Sequence, residues 1–405
     1  MPAIAVPSER SGLPLTGISL VDFTFQAAGP YGTMLLAGLG AEILKIESKV
    51  RPDPTRGREN RPYIHSVFFE DVNLGKKSVA INMKEPAGVA IARRLIDGAD
   101  AVADNFRPGV MARWGMSAAD LRGDHRRLVV ASLSSTGGSG PLARLPGYAG
   151  IFNALGGLGG LTGYADGPPT EMRTSVDMRV GALFATAVLF GLLHAKRTGE
   201  GRVIDFSAAE AVASLIGDEI ARYTLTGEIP ARGIPAPGGQ LEMVLRCGDD
   251  QWLAVVIPDL ETWQRVEAVL TASGIPGGPG PVSYSDLLAR AEAISGAISD
   301  LLRSYDRAGA AKELTHLGVI TGPVMAAPDI AADPQHRSRA FFRPVTVSGS
   351  HKTRLTAGFP WLAASGRRPE AAAPALGQHT REVLTERLNL EPDEVAALMA
   401  DGILA

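Results

Sequence analysis

The chain has 405 residues, of which 40 are Lys or Arg and 43 are Asp or Glu, and its only cysteine is Cys247. A chain of this length predicts about two domains, and its near-neutral charge provides no overall field that would attract nucleic acid or an anionic membrane surface. One cysteine excludes an intrachain disulfide and a cysteine-rich metal site, so we expect a reducing compartment, the cytoplasm.

The first half of the sequence has the pattern of alternating strands and helices. The segment MPAIAVPSERSG lacks the basic and apolar stretches of a signal peptide, so we expect no export signal. Strands are then predicted at 17–25, 41–48, 77–83, 99–106 and 126–134, and helices at 29–40, 86–98 and 117–124. Because strands joined by helices form parallel sheets with helices on both faces, we predict an α/β fold whose large domain contains a Rossmann-like parallel sheet.

A run without formal charge between residues 180 and 195 predicts a long buried helix. The run is shorter than the roughly 20 residues that a bilayer core requires, and Gly181 and Gly191 interrupt it. Lys196 and Arg197 complement the dipole at the end of the helix. We therefore predict a core helix and no membrane partner.

A Pro- and Gly-rich stretch, EIPARGIPAPGGQ, predicts a domain boundary. The segment LEMVLRCGDDQWLAVVI that follows has the pattern of a hairpin, and helices are predicted at 260–272, 286–305 and 310–317. We assign residues 1–225 to the first part of the large domain and residues 226–330 to a smaller α+β domain. Residues 331–405 are expected to return to the large domain.

The loops after the predicted strands carry most of the informative charges. In parallel α/β sheets the ligand binds outside the carboxyl ends of the strands. The basic residues on or just beyond these loops are Lys49, Arg51, Arg56, Lys84, Arg107 and Arg113. They predict a phosphate-rich small molecule as the ligand, and simple solvation of polar loops is the alternative explanation.

Several common cofactor motifs do not occur in the sequence. The glycines fit neither the G-x-G-x-x-G fingerprint nor the Walker A spacing, the histidines form no H-E-x-x-H motif, and no G-x-S-x-G elbow is present. These absences disfavour a nicotinamide enzyme, a P-loop NTPase and a serine hydrolase. We expect no metal site and no nucleic-acid partner.

Asp177 stands at the mouth of the uncharged run. An aspartate at this point can cap the helix, which is the more common role of such a residue. It can also act as a nucleophile, because a helix N-terminus favours the carboxylate by about 0.3 to 1 kcal/mol and nearby amides can hold an oxyanion. The residues alone leave both roles open.

From Leu15 to the C-terminus the chain resembles the class III coenzyme A transferases, a family that includes formyl-CoA and carnitine-CoA transferases and, as a branch, the α-methylacyl-CoA racemases. The motifs that carry the resemblance are LVDF, AGP, GLGAEILKIE, NLGKKSVAINMK, DNFRPG, GYAGIFNALGGLGGLTGYADGPP, HAKRTGEGRVIDFSAAEA, GVITGPVMAAPDIAADPQ and PALGQHT. The family's catalytic aspartate lies in a D-x-x-x-G context, which residues 177–181 match.

The resemblance implies a CoA-transferase that moves coenzyme A from an acyl-CoA donor to a carboxylic acid acceptor. It implies that Asp177 forms anhydride and aspartyl-CoA thioester intermediates. Acyl-CoA and a small carboxylic acid are then the partners, both as substrates, and no cofactor is bound permanently. The family also implies an interlocked homodimer.

The resemblance further implies a set of CoA contacts. These residues are Ala27, Ala28, Asn82, Lys84, Asn105, Phe106, Arg107, Arg113 and Tyr148. In some members a glutamine directly precedes the AGP motif, whereas here Ala27 takes that place and Gln26 stands one position earlier.

The acyl pocket is expected around Tyr148 and Ala149, beneath a loop that contains Gly238, Gly239 and Gln240. These last three residues resemble the end of a glycine-rich loop that closes over the intermediate in formyl-CoA transferases. In the racemase branch a histidine stands at the position of Tyr148, and a phenol is a poor base at neutral pH. Epimerisation of a 2-methylacyl-CoA by α-proton transfer is therefore the alternative function, and an inactive CoA-binding scaffold is a third.

Overall fold

The chain is built from two units. The computed structural model describes residues 12–56, 65–164, 166–170, 175–229, 232–233, 240–276, 280–346, 353–360 and 371–405. The first unit consists of Met1–Arg232 and Ser338–Ala405, and the second of Gly233–Arg337. The domain boundaries predicted from the sequence lie after residues 225 and 330.

Six parallel strands form the central sheet of the first unit. The strands are β1 (Ser19–Asp22), β2 (Glu42–Glu47), β3 (Lys77–Ala80), β4 (Ala101–Asp104), β5 (Val129–Ser134) and β6 (Val203–Ser207). Their order in the sheet is β3-β2-β1-β4-β5-β6, and every neighbouring pair is parallel. Adjacent residues such as Leu20 and Val21 are both buried, because helices cover both faces of the sheet. The predicted parallel α/β architecture is confirmed.

The helices of the first unit connect these strands and extend beyond the last one. They are α1 (Ala28–Gly38), α2 (His65–Asn73), α3 (Pro86–Asp97), α4 (Val110–Arg113), α5 (Ala118–Asp124), α6 (Ala149–Leu155), α7 (Leu158–Leu161), α8 (Ser175–Thr198), α9 (Ala208–Ala213) and α10 (Gly217–Thr226). Short 3-10 turns occupy Pro54–Arg56 and Ser214–Ile216. Ser117 caps α5 in a capping box with Asp120, which explains why this short helix begins where it does.

The second unit combines a three-stranded antiparallel sheet with helices. Its elements are β7 (Leu241–Arg246), β8 (Trp252–Ile257), α11 (Leu260–Ala272), α12 (Tyr284–Ala289), α13 (Ala291–Leu302), α14 (Arg307–His316), β9 (Ile320–Pro323), α15 (Ala327–Ala332) and α16 (Pro334–Ser338, which reaches the boundary). Val255, Trp263 and Leu301 lie in its core. The single helix expected over 286–305 is two helices, because Arg290, with φ −103° and ψ 14°, leaves helical geometry.

The C-terminal segment of the first unit adds a hairpin and two helices. These are β10 (Phe342–Thr346), β11 (Thr353–Ala357), α17 (Thr380–Leu388) and α18 (Pro392–Ala400). The main chain of β3 anchors the segment, since His379 N donates to Ser78 O at 2.9 Å and Ala80 N donates to Thr380 Oγ1 at 2.8 Å. Val383 and Val395 complete the core on the α3 face of the sheet.

Helix α8 belongs to the core of the first unit. By length and composition it is the one helix in the described part of the chain that could cross a membrane. However, Val180, Phe184 and Val188 are at most 1% exposed and pack with Leu20 and Val129 of the sheet. This burial is typical of the central helix of an α/β domain.

The order of the strands places a crevice between β1 and β4. These two strands are neighbours, but the chain continues from them towards opposite edges of the sheet. The loops that leave their carboxyl ends therefore separate, and ligands of open α/β sheets bind in the resulting crevice. Residues 23–27 and 105–109 are the loops that border it here.

Helices α1 and α8 approach each other through two glycines. A β-carbon on Gly181 would lie 2.4 Å from the carbonyl oxygen of Ala28, and one on Gly32 would lie 2.7 Å from the carbonyl oxygen of Gly181. Neither position has room for a side chain. Because Gly181 follows Asp177 by about one helical turn, the contact brings Asp177 to the start of α1, where Asp177 and Ala28 line the same cavity.

We expect Gly181→Ala to lower the free energy of unfolding by about 1 to 3 kcal/mol, because the added methyl group forces α1 and α8 apart. Chemical denaturation followed by circular dichroism measures this change. Gly123→Ala in α5 is the control, since nothing lies within 4 Å of the added β-carbon. It should be neutral or stabilise by up to about 1 kcal/mol, and equal losses in the two variants would contradict the packing argument.

Candidate active site

A cleft of three adjoining cavities runs along the carboxyl edge of the parallel sheet, within the first unit. The first, second and third cavities measure about 650, 520 and 390 Å³. Phe25 lines all three, Phe106 and Arg113 line the first and second, and Gln26 and Tyr148 line the second and third. These shared walls allow one extended ligand to occupy the cavities in succession.

The first cavity has an aromatic wall with cations at its edge. The rings of Phe106 and Trp114 lie edge to face with centroids 5.6 Å apart, and Phe23 packs beside both. Lys84 and Arg113 also line this cavity. Flat apolar surfaces next to basic groups suit a heteroaromatic ring that carries phosphate.

Asn82 lines the first cavity and shapes the loop after β3. Its Oδ1 accepts a hydrogen bond from the Lys84 main-chain N at 3.1 Å, and its Nδ2 donates to Gly402 O at 3.4 Å. Asn82 therefore positions Lys84 through the main chain while its side chain forms part of the cavity wall.

The second cavity is cationic. Arg51, Arg107 and Arg113 line it, and its described lining contains no carboxylate. Guanidinium groups donate several hydrogen bonds in fixed geometry, which matches phosphate oxygens. Arg51 lies in the loop after β2, Arg107 in the loop after β4, and Arg113 at the end of the short helix α4 that follows that loop. The sequence predicts these cations at the carboxyl edge of the sheet.

The third cavity holds Asp177 among small side chains. Ala27 and Ala28 line it at the start of α1, Ala149 lines it at the start of α6, and Tyr148, which is 67% exposed, stands beside Ala149. Asp177 lies in the first turn of α8 and is half-buried. The N-terminal ends of α1 and α8 thus border the same space and favour negative charge within it.

Asn105 holds the neighbouring loop in addition to lining the second and third cavities. Its Nδ2 donates to Phe25 O at 2.8 Å, and its Oδ1 accepts from Phe25 N at 2.8 Å. Both polar groups of the side chain are thus engaged with the main chain. We therefore expect a ligand to meet Asn105 as part of the wall, with its carboxamide acting on Phe25.

The predicted closing loop is only partly described. Gly238 and Gly239 lie outside the described residues, and Gln240 is exposed and precedes β7 in the second unit. In the described part of the chain, no group of three or more His, Cys, Asp or Glu side chains has the arrangement of a metal site.

Sequence reasoning missed two features of the cleft wall. The first is the aromatic series Phe23, Phe25 and Trp114, which the letters FTF after a strand and RWG after a basic loop could have indicated. The second is Gln26, which adopts φ 67° in the left-handed region although it is not glycine. Nothing in the local sequence marks Gln26 for this conformation.

The cleft thus suits an extended ligand that carries phosphate, and the carboxylate of Asp177 lies at one end of the cleft. The sequence matches the family model of CoA-transferase family III over residues 15–380. The chain belongs to CoA-transferase family III. It is accordingly an enzyme of the transferase class.

This CoA-transferase is 31% identical to the acetyl-CoA:oxalate CoA-transferase of Acetobacter aceti, and the match covers 91% of this chain and 98% of that protein. It is 28% identical to the succinyl-CoA–D-citramalate CoA-transferase of Chloroflexus aurantiacus, over 98% of this chain and 100% of the relative. The crystal structure of a CaiB/BaiF family protein from Brucella suis matches with a TM-score of 0.82 at 23% identity, covering 92% and 99% of the two chains. This structural likeness shows a shared fold.

Asp104 is a buried carboxyl group beneath the cleft of this CoA-transferase. It ends β4 and is 5% exposed. Burial raises its pKa to about 6, against the opposing effect of hydrogen bonds from Ser132 Oγ at 2.6 Å and Phe106 N at 3.1 Å. The folded protein therefore holds a proton on Asp104 at pH values where the unfolded chain has released it.

We expect Asp104→Asn to stabilise the protein above about pH 6, with no gain below about pH 4. Because folding raises this pKa, ionisation of Asp104 lowers the stability of the wild type as pH rises through that window, and the amide does not ionise. The difference in free energy of unfolding should reach about 3 kcal/mol at neutral pH. Urea denaturation across the pH range measures it. The exposed Asp218→Asn serves as control, and an equal profile in both variants would contradict the assignment.

Proposed function

We propose that this enzyme transfers coenzyme A from an acyl-CoA donor to a carboxylic acid, with Asp177 as the covalent nucleophile. The observation that carries the proposal is the order of groups along the cleft, in which an aromatic cavity, a cationic cavity and a cavity with a carboxylate adjoin one another. An acyl-CoA molecule presents matching groups in the same order, namely adenine, phosphates and an extended arm that ends in a thioester.

Several described residues support this orientation of the substrate. Lys84, Arg107 and Arg113 are the cations that we assign to the phosphates, because they line the first and second cavities. The rings of Phe106 and Trp114 offer a surface for the adenine. Ala27 and Ala28 leave space at the thioester end, where Asp177 lies.

The proposed reaction begins with attack of an Asp177 carboxylate oxygen on the carbonyl carbon of the donor thioester. The carbon–sulfur bond breaks, CoA leaves as the thiolate, and an anhydride joins the acyl group to Asp177. The thiolate then attacks the aspartyl carbonyl carbon of this anhydride. The donor acid leaves as its carboxylate, and CoA is held as an aspartyl thioester.

The second half of the proposed reaction repeats these steps with the acceptor. Its carboxylate attacks the aspartyl thioester, releases the thiolate and forms a second anhydride with Asp177. The thiolate then attacks the acceptor carbonyl, which yields the new acyl-CoA and restores the Asp177 carboxylate. No net proton transfer is required, and the N-termini of α1 and α8 stabilise the negative charge that passes through the cavity.

The alternative function, α-proton transfer on a 2-methylacyl-CoA, requires a second acid or base opposite Asp177. The described lining of the third cavity contains no histidine or lysine, and Tyr148 stands where the racemase branch has a histidine. A phenol is a weak base at neutral pH. This composition favours CoA transfer.

We expect Asp177→Asn to lower the rate of CoA transfer by at least about 10³-fold, because the amide cannot form the anhydride. Transfer is measured with a panel of acyl-CoA donors and free acids. Hydroxylamine should trap the aspartyl-CoA thioester of the wild type and leave a modified Asp177 that mass spectrometry locates. Arg113→Ala is a companion variant that should raise the KM for acyl-CoA and still form the adduct.

Asp218→Asn is the matched control, because Asp218 is an exposed aspartate in the first turn of another helix, α10. If Asp177 were only a helix cap, both variants would lose a little stability and keep full activity, and the proposal would be rejected. Incorporation of solvent deuterium at the α-carbon of a 2-methylacyl-CoA without any acceptor acid would instead favour the racemase function.

We further propose that two copies of the chain form an interlocked dimer. Large apolar side chains lie exposed on α8 and α10 of the single chain, including Phe190 at 68%, Tyr223 at 54% and Leu225 at 85%. Such exposure is typical of an interface.

We expect the mass in light scattering to equal two chains, and two differently tagged dimers to exchange subunits only after denaturation, since threaded chains separate by unfolding. The single-chain mass at micromolar concentration would contradict the dimer. Rapid exchange would contradict the interlocking.

A further inference from the structure

Side chains from outside the turn hold the main chain between β1 and α1. Residues 24–26, here called the substrate turn, contribute Phe25 and Gln26 to the cleft wall. Thr24 N donates to Asp22 Oδ1 at 2.9 Å, and the Asn105 carboxamide binds both N and O of Phe25. The turn thus takes its shape from other parts of the sheet edge.

Two further bonds to the substrate turn come from a buried ion pair. Lys45 Nζ donates to Thr24 O at 2.6 Å, and Gln26 N donates to Asp53 Oδ2 at 3.2 Å. The ammonium group of Lys45 and the carboxylate of Asp53 lie 3.3 Å apart, and both side chains are fully buried. The pair therefore binds both ends of the turn, at the carbonyl oxygen of Thr24 and the main-chain N of Gln26.

The conformation of Gln26 explains why the turn needs these hydrogen bonds. Its φ of 67° is uncommon for a residue with a side chain and persists only where surrounding contacts impose it. The hydrogen bond to Asp53 fixes the amide of this residue. Asp53 is in turn held by Lys45 and by the main-chain N of Thr55 at 2.9 Å.

A buried ion pair is a costly way to obtain stability. Removing two charges from water consumes much of the attraction between them, so apolar residues of similar volume often give equal stability. The rings of Phe25 and Phe69 stand within 5.3 and 5.9 Å of Lys45 Nζ, which leaves the ammonium little access to water. The contacts of the pair with the substrate turn offer a functional reason for keeping it.

We infer that Lys45 and Asp53 are positioning residues for CoA transfer, which hold the substrate turn so that Gln26 and Ala27 meet the acyl group beside Asp177. This inference rests on the proposed function. Without the pair, the turn relaxes away from the left-handed conformation and the wall of the third cavity shifts. A displacement of about 1 Å in such a wall is enough to cost about 10²-fold in rate.

The test uses the full-length protein with Lys45→Met, Asp53→Asn and the double variant. Each single variant leaves one buried charge without its partner and should be less stable than the wild type. The double variant removes both charges and should recover much of the lost stability. The double variant should nevertheless lose about 10²-fold in kcat. Its affinity for CoA should change far less than kcat, because the cations assigned to the phosphates, Lys84, Arg107 and Arg113, lie on other segments of the chain.

Two measurements separate positioning from simple structural support. Hydrogen exchange at the amide of Gln26 should accelerate in the double variant, while exchange in the strands β4 and β5 stays as in the wild type. The ratio of donor hydrolysis to CoA transfer should rise, because a displaced wall admits water to the intermediate. Lys77→Met is the matched control, since Lys77 pairs with Glu42 and Glu382 at the partly exposed side of β3. It should keep the wild-type kcat and exchange.

A stable double variant with wild-type kcat, hydrolysis ratio and Gln26 exchange would overturn the inference. That result leaves the proposed function intact, provided that the wild type still forms the hydroxylamine-sensitive adduct. Failure of the wild type to form the adduct would instead reject the proposed function. The exchange of the Gln26 amide would then still report whether Lys45 and Asp53 hold the turn.

Discussion

The position of Asp177 in the cleft depends on a contact between two helix backbones. Gly32 and Gly181 allow α1 and α8 to approach until carbonyl oxygens fill the space that side chains would need. A long apolar helix buried against the sheet thereby delivers its first turn to the carboxyl edge of β1. Asp177 reaches the crevice because of this approach. The same approach brings the partial positive charges of both helix N-termini to one cavity.

Behind this contact the sheet edge contains an unusual amount of buried charge. Lys76 Nζ donates to Asp22 Oδ2 at 3.0 Å, to Thr33 Oγ1 at 2.8 Å and to Pro30 O at 2.9 Å. Burial lowers the pKa of Lys76 to about 8, against the attraction of Asp22. Burial also raises the pKa of Asp22, but the nearby Lys76 and Lys45 outweigh it and hold that pKa below its ordinary value. Helix α1 is thus tied to the sheet by polar contacts at its N-terminal end.

Much of the fold and part of the site follow from the sequence, because they depend on local patterns. Apolar runs between turn residues predict the parallel strands, and basic loops predict the cationic cavity. The sequence does not predict the strands β10 and β11 or the break at Arg290, since both depend on weak local preferences. Asp53 binds the amide of the left-handed Gln26 from 27 positions away, and Asn105 binds Phe25 from 80 positions away. No local pattern specifies such contacts.

The substrate turn also bears on how enzymes of this architecture can diversify. Its main chain is held by Asp22, Lys45, Asp53 and Asn105, and the hydrogen bonds described above act on backbone atoms of the turn. The shape of the turn therefore does not depend on the identity of the side chains at its tip. Evolution can replace these side chains one at a time, and so change which acids fit the cavity, without altering the hydrogen bonds that hold the main chain of the turn.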